Sequence, residues 1–423
     1  MKIKFLFCAI ILTGFLALVY NCKMEALQTA PTVTISAATN ITATTATIGG
    51  NVTDDGGVTV SSRGICWSTN LNPTISDSKT SNSTGTGSFS SSLTGLTQGA
   101  TYYLKAYAIN SIGTAYSSQT TFTTALPVAT PVVYVIGNHQ ANQNNGDFWI
   151  NGVSVKLTTN IISYFFPSSL YVSGSDSYVV GSGGNYNSSG IPLLYKNGES
   201  IDITSYRLTQ IVSVFVSGSD LYILGVSSDI LAVWKNGSII NTLPHDPFNS
   251  AGTSILISGT DVYVIGRNNN RPSMWKNGNL TYLSDFVGVA NSVFVSGLNV
   301  YVVGKIIKTQ PIIYEYPVIW KNGVMSYLSN FEGVANSVFV SGSDVYIAGE
   351  TYTADNTGLK GFQWKNGNQT PLPLSEAKSI YVIGSDVYIA GSSNDGYPAV
   401  CTNGVIKTLS AFSGKAVSIF VKK

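Results

Sequence analysis

The sequence predicts an all-β protein in which a β-sandwich is followed by a seven-bladed β-propeller. A motif pair occurs seven times between Val132 and the C-terminus, namely an apolar run of the type V-Y-V-x-G and then W-K-N-G. Runs rich in Val, Ile, Tyr and Phe alternate with turn residues, and long helical periodicity is absent. A repeat of roughly 40 residues with four short strands is typical of a propeller blade.

The ends of the repeat region predict how such a propeller closes. The repeated tyrosines lie 38 to 45 residues apart, and they are Tyr134, Tyr178, Tyr222, Tyr263, Tyr301, Tyr346 and Tyr388. The first repeat starts directly at 132–134 and lacks the S-x-F-V strand, whereas the last repeat is followed by an additional S-I-F-V at 418–421. We therefore expect the C-terminal strand to complete the first blade and remove the open sheet edges.

Loop lengths predict which face of the repeat region is functional. The first turn has a constant length in every complete repeat, and the Asn-Gly step recurs in all seven repeats, which predicts type I′ hairpins with positive φ at both turn residues. The connection between the second and third strands varies, with 12 to 19 residues between the tyrosine and tryptophan positions. Because function usually resides on variable loops of a rigid scaffold, we expect binding on the face that carries these connections.

The variable loops are rich in Asn, Tyr, Ser and Gly, whose amides, hydroxyls and rings suit a sugar or a protein partner. The alternative is that these residues simply form good loops. The candidate ligand-binding residues are Arg267, Asn269, Arg271, Tyr314, Glu315, Tyr316, Tyr352, Asp355, Asp395 and Tyr397.

Catalysis has weak support in the sequence. His139 and His245 lie in different loops, and no G-x-S-x-G motif accompanies them. The repeated Asp of the G-S-D-V-Y string, such as Asp261, is interpreted as a turn residue, and the repeated Trp, such as Trp275, as core. We therefore expect no enzyme activity, no cofactor and no metal site.

Four acids on the variable loops leave an enzyme as the alternative, because a glycosidase needs only two carboxylates across a cleft. They are Glu315, Glu350, Asp355 and Asp395. They are otherwise interpreted as solvated loop charges.

Composition excludes several classes of partner. Only 10% of the residues are charged, and the net charge of +2 equals the contribution of Lys2 and Lys4 in the N-terminal segment. Without a basic stripe, neither nucleic-acid binding nor electrostatic adhesion to an anionic membrane is expected. Cys66 and Cys401 lie in different predicted domains, and we expect two buried small hydrophobes rather than a disulfide.

The N-terminus predicts export. Lys2 and Lys4 precede an apolar stretch at 5–20, and Cys22 follows it. Residues 1–21 resemble a bacterial lipoprotein signal, although Tyr20 and Asn21 replace the usual small residues. The resemblance implies lipidation of Cys22, an anchor and tether at 22–31, and attachment to the outer membrane at the cell surface through the lipid alone. An ordinary secretory signal or an uncleaved anchor is the alternative.

Residues 32–124 form a separate predicted domain. The string L-T-Q-G-A-T-Y at 96–102 resembles the fibronectin type III motif L-x-P-G-T-x-Y, whose tyrosine anchors a corner of the sandwich. Gln98 and Ala100 replace the Pro and Thr of that motif. Residues 125–131, which include Pro127 and Pro131, predict a short stiff linker to the propeller at 132–423.

The repeat region as a whole resembles the W-K-N-G propellers of Bacteroidetes surface lipoproteins. This resemblance implies a non-enzymatic binding or adhesion lipoprotein whose loop face binds a glycan or a protein partner. The alternative is an extracellular polysaccharide-processing enzyme, either a glycoside hydrolase or a lyase, that uses loop carboxylates at the propeller mouth. A purely structural envelope protein is a third possibility.

Overall fold

The computed structural model describes residues 27–423 except 128–129, 140–144, 158–163, 185–189, 247, 310–313 and 353–357. The chain divides into two compact units, Met1–Ala129 and Thr130–Lys423. The predicted signal at 1–21 and Cys22 lie outside the described residues. In the described part, the strand pairs are antiparallel and the single helical element is a short 3-10 turn at Thr204–Tyr206. That part of the chain has no helix with the length and apolar character needed to cross a membrane.

The first unit contains two antiparallel sheets. Its strands are β1 (Thr32–Ile35), β2 (Ala46–Asp54), β3 (Ser62–Ser68), β4 (Ser78–Lys79), β5 (Gly87–Leu93), β6 (Thr101–Ile109), β7 (Thr114–Tyr116) and β8 (Thr120–Thr123). One sheet has the order β1-β2-β5, and the other has the order β4-β3-β6-β7 with β8 also paired to β6. The Tyr102 hydroxyl accepts a hydrogen bond from the Thr97 N–H at 2.9 Å. The resemblance to fibronectin type III domains stays a prediction.

The second unit contains seven four-stranded sheets, which we call repeat sheets 1 to 7 in chain order. Repeat sheet 1 consists of β9 (Val132–His139), β10 (Asn145–Ile150), β11 (Val153–Val155) and the C-terminal strand β36 (Gly414–Lys422). Repeat sheet 2 consists of β12 (Tyr164–Ser173), β13 (Asp176–Gly184), β14 (Ile191–Lys196) and β15 (Glu199–Ile201). Repeat sheet 3 consists of β16 (Gln210–Ser217), β17 (Asp220–Ser227), β18 (Ile230–Lys235) and β19 (Ser238–Thr242).

The remaining sheets follow the same order. Repeat sheet 4 consists of β20 (Ala251–Ser258), β21 (Asp261–Asn268), β22 (Arg271–Lys276) and β23 (Asn279–Tyr282). Repeat sheet 5 consists of β24 (Val287–Ser296), β25 (Asn299–Lys308), β26 (Tyr314–Lys321) and β27 (Val324–Tyr327). Repeat sheet 6 consists of β28 (Gly333–Ser341), β29 (Asp344–Tyr352), β30 (Leu359–Lys365) and β31 (Asn368–Pro371). Repeat sheet 7 consists of β32 (Leu374–Ile383), β33 (Asp386–Ser393), β34 (Pro398–Thr402) and β35 (Val405–Thr408).

The W-K-N-G string, or a variant of it that keeps Asn-Gly, forms the same turn in each repeat sheet. The predicted Asn-Gly turns are confirmed, because both turn residues have positive φ in all seven repeats, as at Asn277 (50°) and Gly278 (84°). The Asn277 side chain accepts the Val262 N–H at 2.8 Å and donates to the Asp261 carboxylate at 2.8 Å. Lys276 lies 2.7 Å from that carboxylate and holds its pKa below the usual value. The repeated Asp is therefore part of the turn, as the sequence predicts.

The tryptophan position forms the core between sheets. Trp275, Trp320 and Trp364 are completely buried, which confirms their interpretation as core. Cys401 occupies this position in repeat sheet 7, and it is a free, buried thiol like Cys66. Burial raises the pKa of the Cys66 thiol to about 11. The expectation of two buried small hydrophobes is therefore confirmed.

The predicted seven-bladed β-propeller closed by the C-terminal strand was wrong. The strands form nine separate antiparallel sheets, and among the described residues there is no closed or propeller-like sheet. β36 does pair with β9, but it completes a four-stranded sheet in the order β11-β10-β9-β36 and closes none. The physical reason is that the hydrogen-bond ladder stops at the fourth strand of each repeat, so that neighbouring sheets meet through side chains.

These side-chain contacts follow the repeat. The Ser292 hydroxyl of β24 accepts the Val338 N–H of β28 at 3.2 Å, and the Ser337 hydroxyl accepts the Ile380 N–H of β32 at 3.2 Å. The rings of Phe294 and Phe339 lie 4.8 Å apart. Equivalent positions of neighbouring first strands therefore meet, and the sheets share one orientation.

This orientation places the variable connections together. Strands alternate in direction within each sheet, so the connections between second and third strands lie at the same end as the connections from one sheet to the next. We call this the variable end. The opposite end, which carries the Asn-Gly turns, is the constant end.

Candidate ligand-binding site

A cavity of about 330 Å³ opens at the variable end of repeat sheet 5, beside the connection that enters this sheet from repeat sheet 4. One wall is the connection that leads from repeat sheet 4 into β24, and the other is the end of β25. The lining residues are Asp285, Phe286, Val287, Ile307, Lys308 and Thr309. Pockets of this size accommodate small ligands or single sugar rings.

Local sequence shapes the first wall. The Ser284 hydroxyl accepts the Phe286 N–H at 3.1 Å, a short turn that leaves the Phe286 ring 43% exposed. The Gly288 N–H donates to the Asn270 carbonyl at 2.7 Å, which ties the wall to the β21–β22 turn. A Cβ on Gly288 would lie 2.2 Å from the Lys305 carbonyl oxygen, so only glycine permits this close approach.

A cation and an aromatic ring flank this wall. Arg271 Nη1 lies 3.3 Å from Asp285 Oδ1, and the guanidinium lies 5.5 Å from the centroid of the Tyr282 ring. The Tyr282 hydroxyl accepts hydrogen bonds from Asn268 at 2.9 Å and from Asn269 at 3.4 Å. Asn268 is buried, and its hydrogen bond to the hydroxyl fixes the position of the Tyr282 ring.

A second cluster of aromatic rings flanks the other wall. Lys308 Nζ lies 5.4 Å from the Tyr316 ring centroid and 4.9 Å from that of Tyr327. The two rings meet edge to face at 5.8 Å, and Tyr314 lies 6.3 Å from Tyr316. The Tyr327 hydroxyl raises the pKa of Lys308, which is therefore cationic at neutral pH.

The structure brings together half of the predicted candidate residues. The members joined to this site by hydrogen bonds, ion pairs, ring contacts or neighbouring strand positions are Asn269, Arg271, Tyr314, Glu315 and Tyr316. Glu315 is paired with Lys305, whose Nζ lies 2.6 Å from Glu315 Oε1.

The other candidate residues stand outside this group. Arg267, Tyr352 and Asp395 are exposed, and Tyr397 is half-buried at a turn that its backbone closes with Ser393. Within the described ranges, no hydrogen bond, ion pair or ring contact connects these four to the cavity. Asp355 and the lipidation candidate Cys22 lie outside the described residues.

Sequence reasoning missed Tyr282, Phe286, Lys308 and Tyr327. A signal for the phenylalanine was present, because an S-x-F string precedes the next repeat at 284–286, 329–331 and 410–412. In all three strings the serine hydroxyl accepts the N–H of the phenylalanine, at 3.0 to 3.1 Å, and the ring is exposed. The string thus encodes a repeated exposed ring at the variable end.

Glu350 has a different environment from the other loop acids. Its side chain is 4% exposed, and Oε1 lies 2.7 Å from Lys378 Nζ and 3.0 Å from Asn336 Nδ2. Lys378 also lies 3.2 Å from Glu376 Oε2, which is 3.7 Å from Lys415 Nζ. The four charges form a network at the variable ends of neighbouring first and second strands.

Burial is the main influence on the pKa of Glu350. Desolvation raises the pKa of Glu350, although the Lys378 ammonium partly opposes it. Desolvation alone would lower the pKa of Lys378, but the neighbouring Glu350 and Glu376 carboxylates outweigh it and raise that pKa. Lys378 therefore stays charged and compensates a buried carboxylate.

In the described part of the chain, no three or more His, Cys, Asp or Glu side chains converge in a group that could hold a metal ion. His245 Nδ1 lies 3.0 Å from the Leu243 carbonyl oxygen. The side chain of His139 lies outside the described residues.

Comparisons with known proteins find solved structures of low identity and low TM-score. No protein-family model matches the chain, and no curated protein is similar to it in sequence. The computationally designed Ika8 protein is 13% identical with a TM-score of 0.40, over 70% of this chain and 89% of that one. A DUF4784 family protein from Bacteroides caccae is 9% identical with a TM-score of 0.29, over 94% of this chain and 100% of that one. The sensor domain of the anti-sigma factor RsgI4 in Pseudobacteroides cellulosolvens is 23% identical with a TM-score of 0.19, over 23% of this chain and 98% of that one.

Proposed function

We propose that this chain is a non-enzymatic binding protein of the cell envelope that holds a glycan in the cavity at the variable end of repeat sheet 5. The observation that carries the proposal is the set of exposed rings and cations around this cavity. Tyr282, Phe286, Tyr314 and Tyr327 are all exposed although their rings are large and apolar. Exposed aromatic clusters that rim a concave surface mark binding sites.

The acids near the site support binding rather than hydrolysis. Glycosidases use two carboxyl groups on either side of the bond that is cleaved. Glu315 is paired with Lys305, and Glu350 is buried with Lys378. Asp285 lies at the cavity, where Arg271 is its partner. Each of these carboxylates therefore has a cationic partner within the protein.

The proposed location is the outer surface of the cell, through a lipid on Cys22. The support is the order of the N-terminal residues, in which two lysines and an apolar stretch precede the cysteine. Mass spectrometry of the mature protein is expected to find a diacylated Cys22 at its N-terminus. A mature chain that begins with a free amine at another residue would refute this location.

A glycan array tests the proposed function. The purified protein is expected to bind a subset of glycans, and Phe286→Ala is expected to weaken binding about tenfold through the loss of a ring contact. Phe331→Ala is the matched control, because Phe331 has the same turn and is 45% exposed in the next connection. An array without any bound glycan, or an equal loss in both variants, would contradict the proposed function.

A further inference from the structure

The charges around the cavity do not cancel. Arg271 pairs with Asp285, and Lys305 pairs with Glu315. Lys308 lines the cavity, and in the described part of the chain its close partners are the Tyr316 and Tyr327 rings, without an ion pair to a carboxylate. The site therefore carries one uncompensated positive charge.

This charge acts locally. Apart from Lys2 and Lys4, the chain has 21 basic and 21 acidic residues, so that no net charge attracts anions in general. A preference for an anion would therefore arise at Lys308 and would require contact with its ammonium group. An ammonium that binds a carboxylate makes a charge-assisted hydrogen bond, which is stronger than a neutral one.

The walls limit the form of the ligand. Phe286 and Val287 are 43% and 44% exposed, and they face a cavity of about 330 Å³ together with Ile307. A pyranose ring can place its C–H face on such an apolar wall while its substituents remain hydrated. The carboxylate of a uronic acid extends from the edge of that ring, where it can reach a cation at the rim.

We infer that the cavity selects a sugar that carries a carboxylate, with the uronic acid ring against Phe286 and Val287 and its carboxylate on the Lys308 ammonium. This inference rests on the proposed function and names the class of ligand. Asp285 opposes the anion, and Arg271 offsets that charge from the side.

The test compares the trimer of galacturonic acid with its methyl ester, which has the same ring and no charge. Isothermal titration with the full-length protein is expected to show affinity at least about tenfold higher for the acid, because only the acid makes a charge-assisted hydrogen bond to the Lys308 ammonium. Lys308→Met is expected to abolish this preference by lowering the affinity for the acid to the level of the ester. Asp285→Asn is expected to raise the affinity for the acid.

Lys321→Met is the matched control. Lys321 belongs to the same sheet, and its Nζ lies 5.4 Å from the Tyr301 ring centroid, the same distance as between Lys308 and Tyr316. It lies at the constant end, beside an Asn-Gly turn in which Asn299 replaces the repeated Asp. Its loss changes the net charge equally, so binding by this variant is expected to match that of the unchanged protein.

Four results would overturn the inference. Equal affinity for the acid and the ester, or an undiminished preference for the acid in Lys308→Met, would refute the role of the charge while glycan binding itself stood. Binding of triglutamate in place of the sugar acid would assign the site to an acidic peptide. Absence of binding to both trimers and to every glycan of the array would refute the proposed function as well.

Discussion

Lys378→Met is expected to lower the free energy of unfolding by about 3 kcal/mol, because it leaves the buried Glu350 carboxylate without its cation. The Glu350 side chain is 4% exposed, and Lys378 is the cation that lies against it, while Asn336 donates a neutral hydrogen bond. Thermal or urea unfolding, followed by circular dichroism at pH 7, measures the difference.

The pH dependence distinguishes this cause from a general packing defect. Burial already raises the pKa of Glu350, and loss of the Lys378 charge would raise it further. A carboxyl group whose pKa is higher in the folded state binds more protons there, so stability falls as pH rises above the pKa of the unfolded state. The deficit of Lys378→Met should therefore shrink as pH falls from 7 towards 5.

Two variants serve as controls for this prediction. Lys415→Met removes a more exposed cation that lies 3.7 Å from Glu376, and an effect below about 1 kcal/mol is expected. Glu350→Gln combined with Lys378→Met should recover much of the loss, since no buried charge remains. Equal losses in Lys378→Met and Lys415→Met at every pH would contradict the assigned role of Glu350.

Deletion of residues 416–423 is expected to abolish cooperative unfolding of the second unit. The deletion removes most of β36, which contributes Ala416, Ile419 and Val421 to the core of repeat sheets 7 and 1. Phe420 also contacts the rings of Tyr171 and Tyr381, at 5.3 and 4.8 Å. The lost burial and strand pairing are comparable to the whole stability of a folded domain, about 5–15 kcal/mol.

Calorimetry measures this loss. Deletion of Lys423 alone is the control, since this residue follows the end of β36 and its absence should leave the melting temperature unchanged. An unchanged melting temperature after deletion of 416–423 would show that β36 contributes little to the unit. The expected result is a broad transition or aggregation of the truncated chain, because β9 is then left with an unpaired edge.

Much of each repeat could be predicted from local sequence. Asn277 and Gly278 predict their turn because positive φ is common only for Gly and Asn. Trp320 predicts a core position because tryptophan occupies the same position in five of the seven repeats, and it is completely buried. The additional S-I-F-V at 418–421 correctly predicted a C-terminal strand that pairs with the first repeat, since β36 pairs with β9.

Two features could not be predicted from the local sequence, namely the extent of each sheet and the position of the cavity. Periodicity shows that repeats of one kind follow each other, but it does not show where hydrogen bonds stop, so the predicted propeller had to give way to nine separate sheets. The cavity forms where residues 285–287 meet residues 307–309, at the far end of the paired strands β24 and β25. Lys308 therefore had no distinguishing pattern in the sequence.

The buried network shows a similar limit. Lys378 occupies the same bulge position of a first strand as Asn291 and Asn336, which donate to the carbonyls of Ala335 and Ala377 in the following sheets. Its charge breaks the repeat and was visible as a difference between A-N-S-V-F and A-K-S-I-Y. That Glu350 is its partner follows only from the packing of β29 against β32.

The affinity of the strongest glycan from the array for the unchanged protein, Phe286→Ala and Phe331→Ala tests the proposed site most directly. The two phenylalanines have the same kind of turn and similar exposure, but of the two only Phe286 lines the cavity at the variable end of repeat sheet 5. The predicted result is a loss of about tenfold in Phe286→Ala and unchanged affinity in Phe331→Ala. Unchanged affinity in Phe286→Ala would contradict the assignment of the binding site to this cavity.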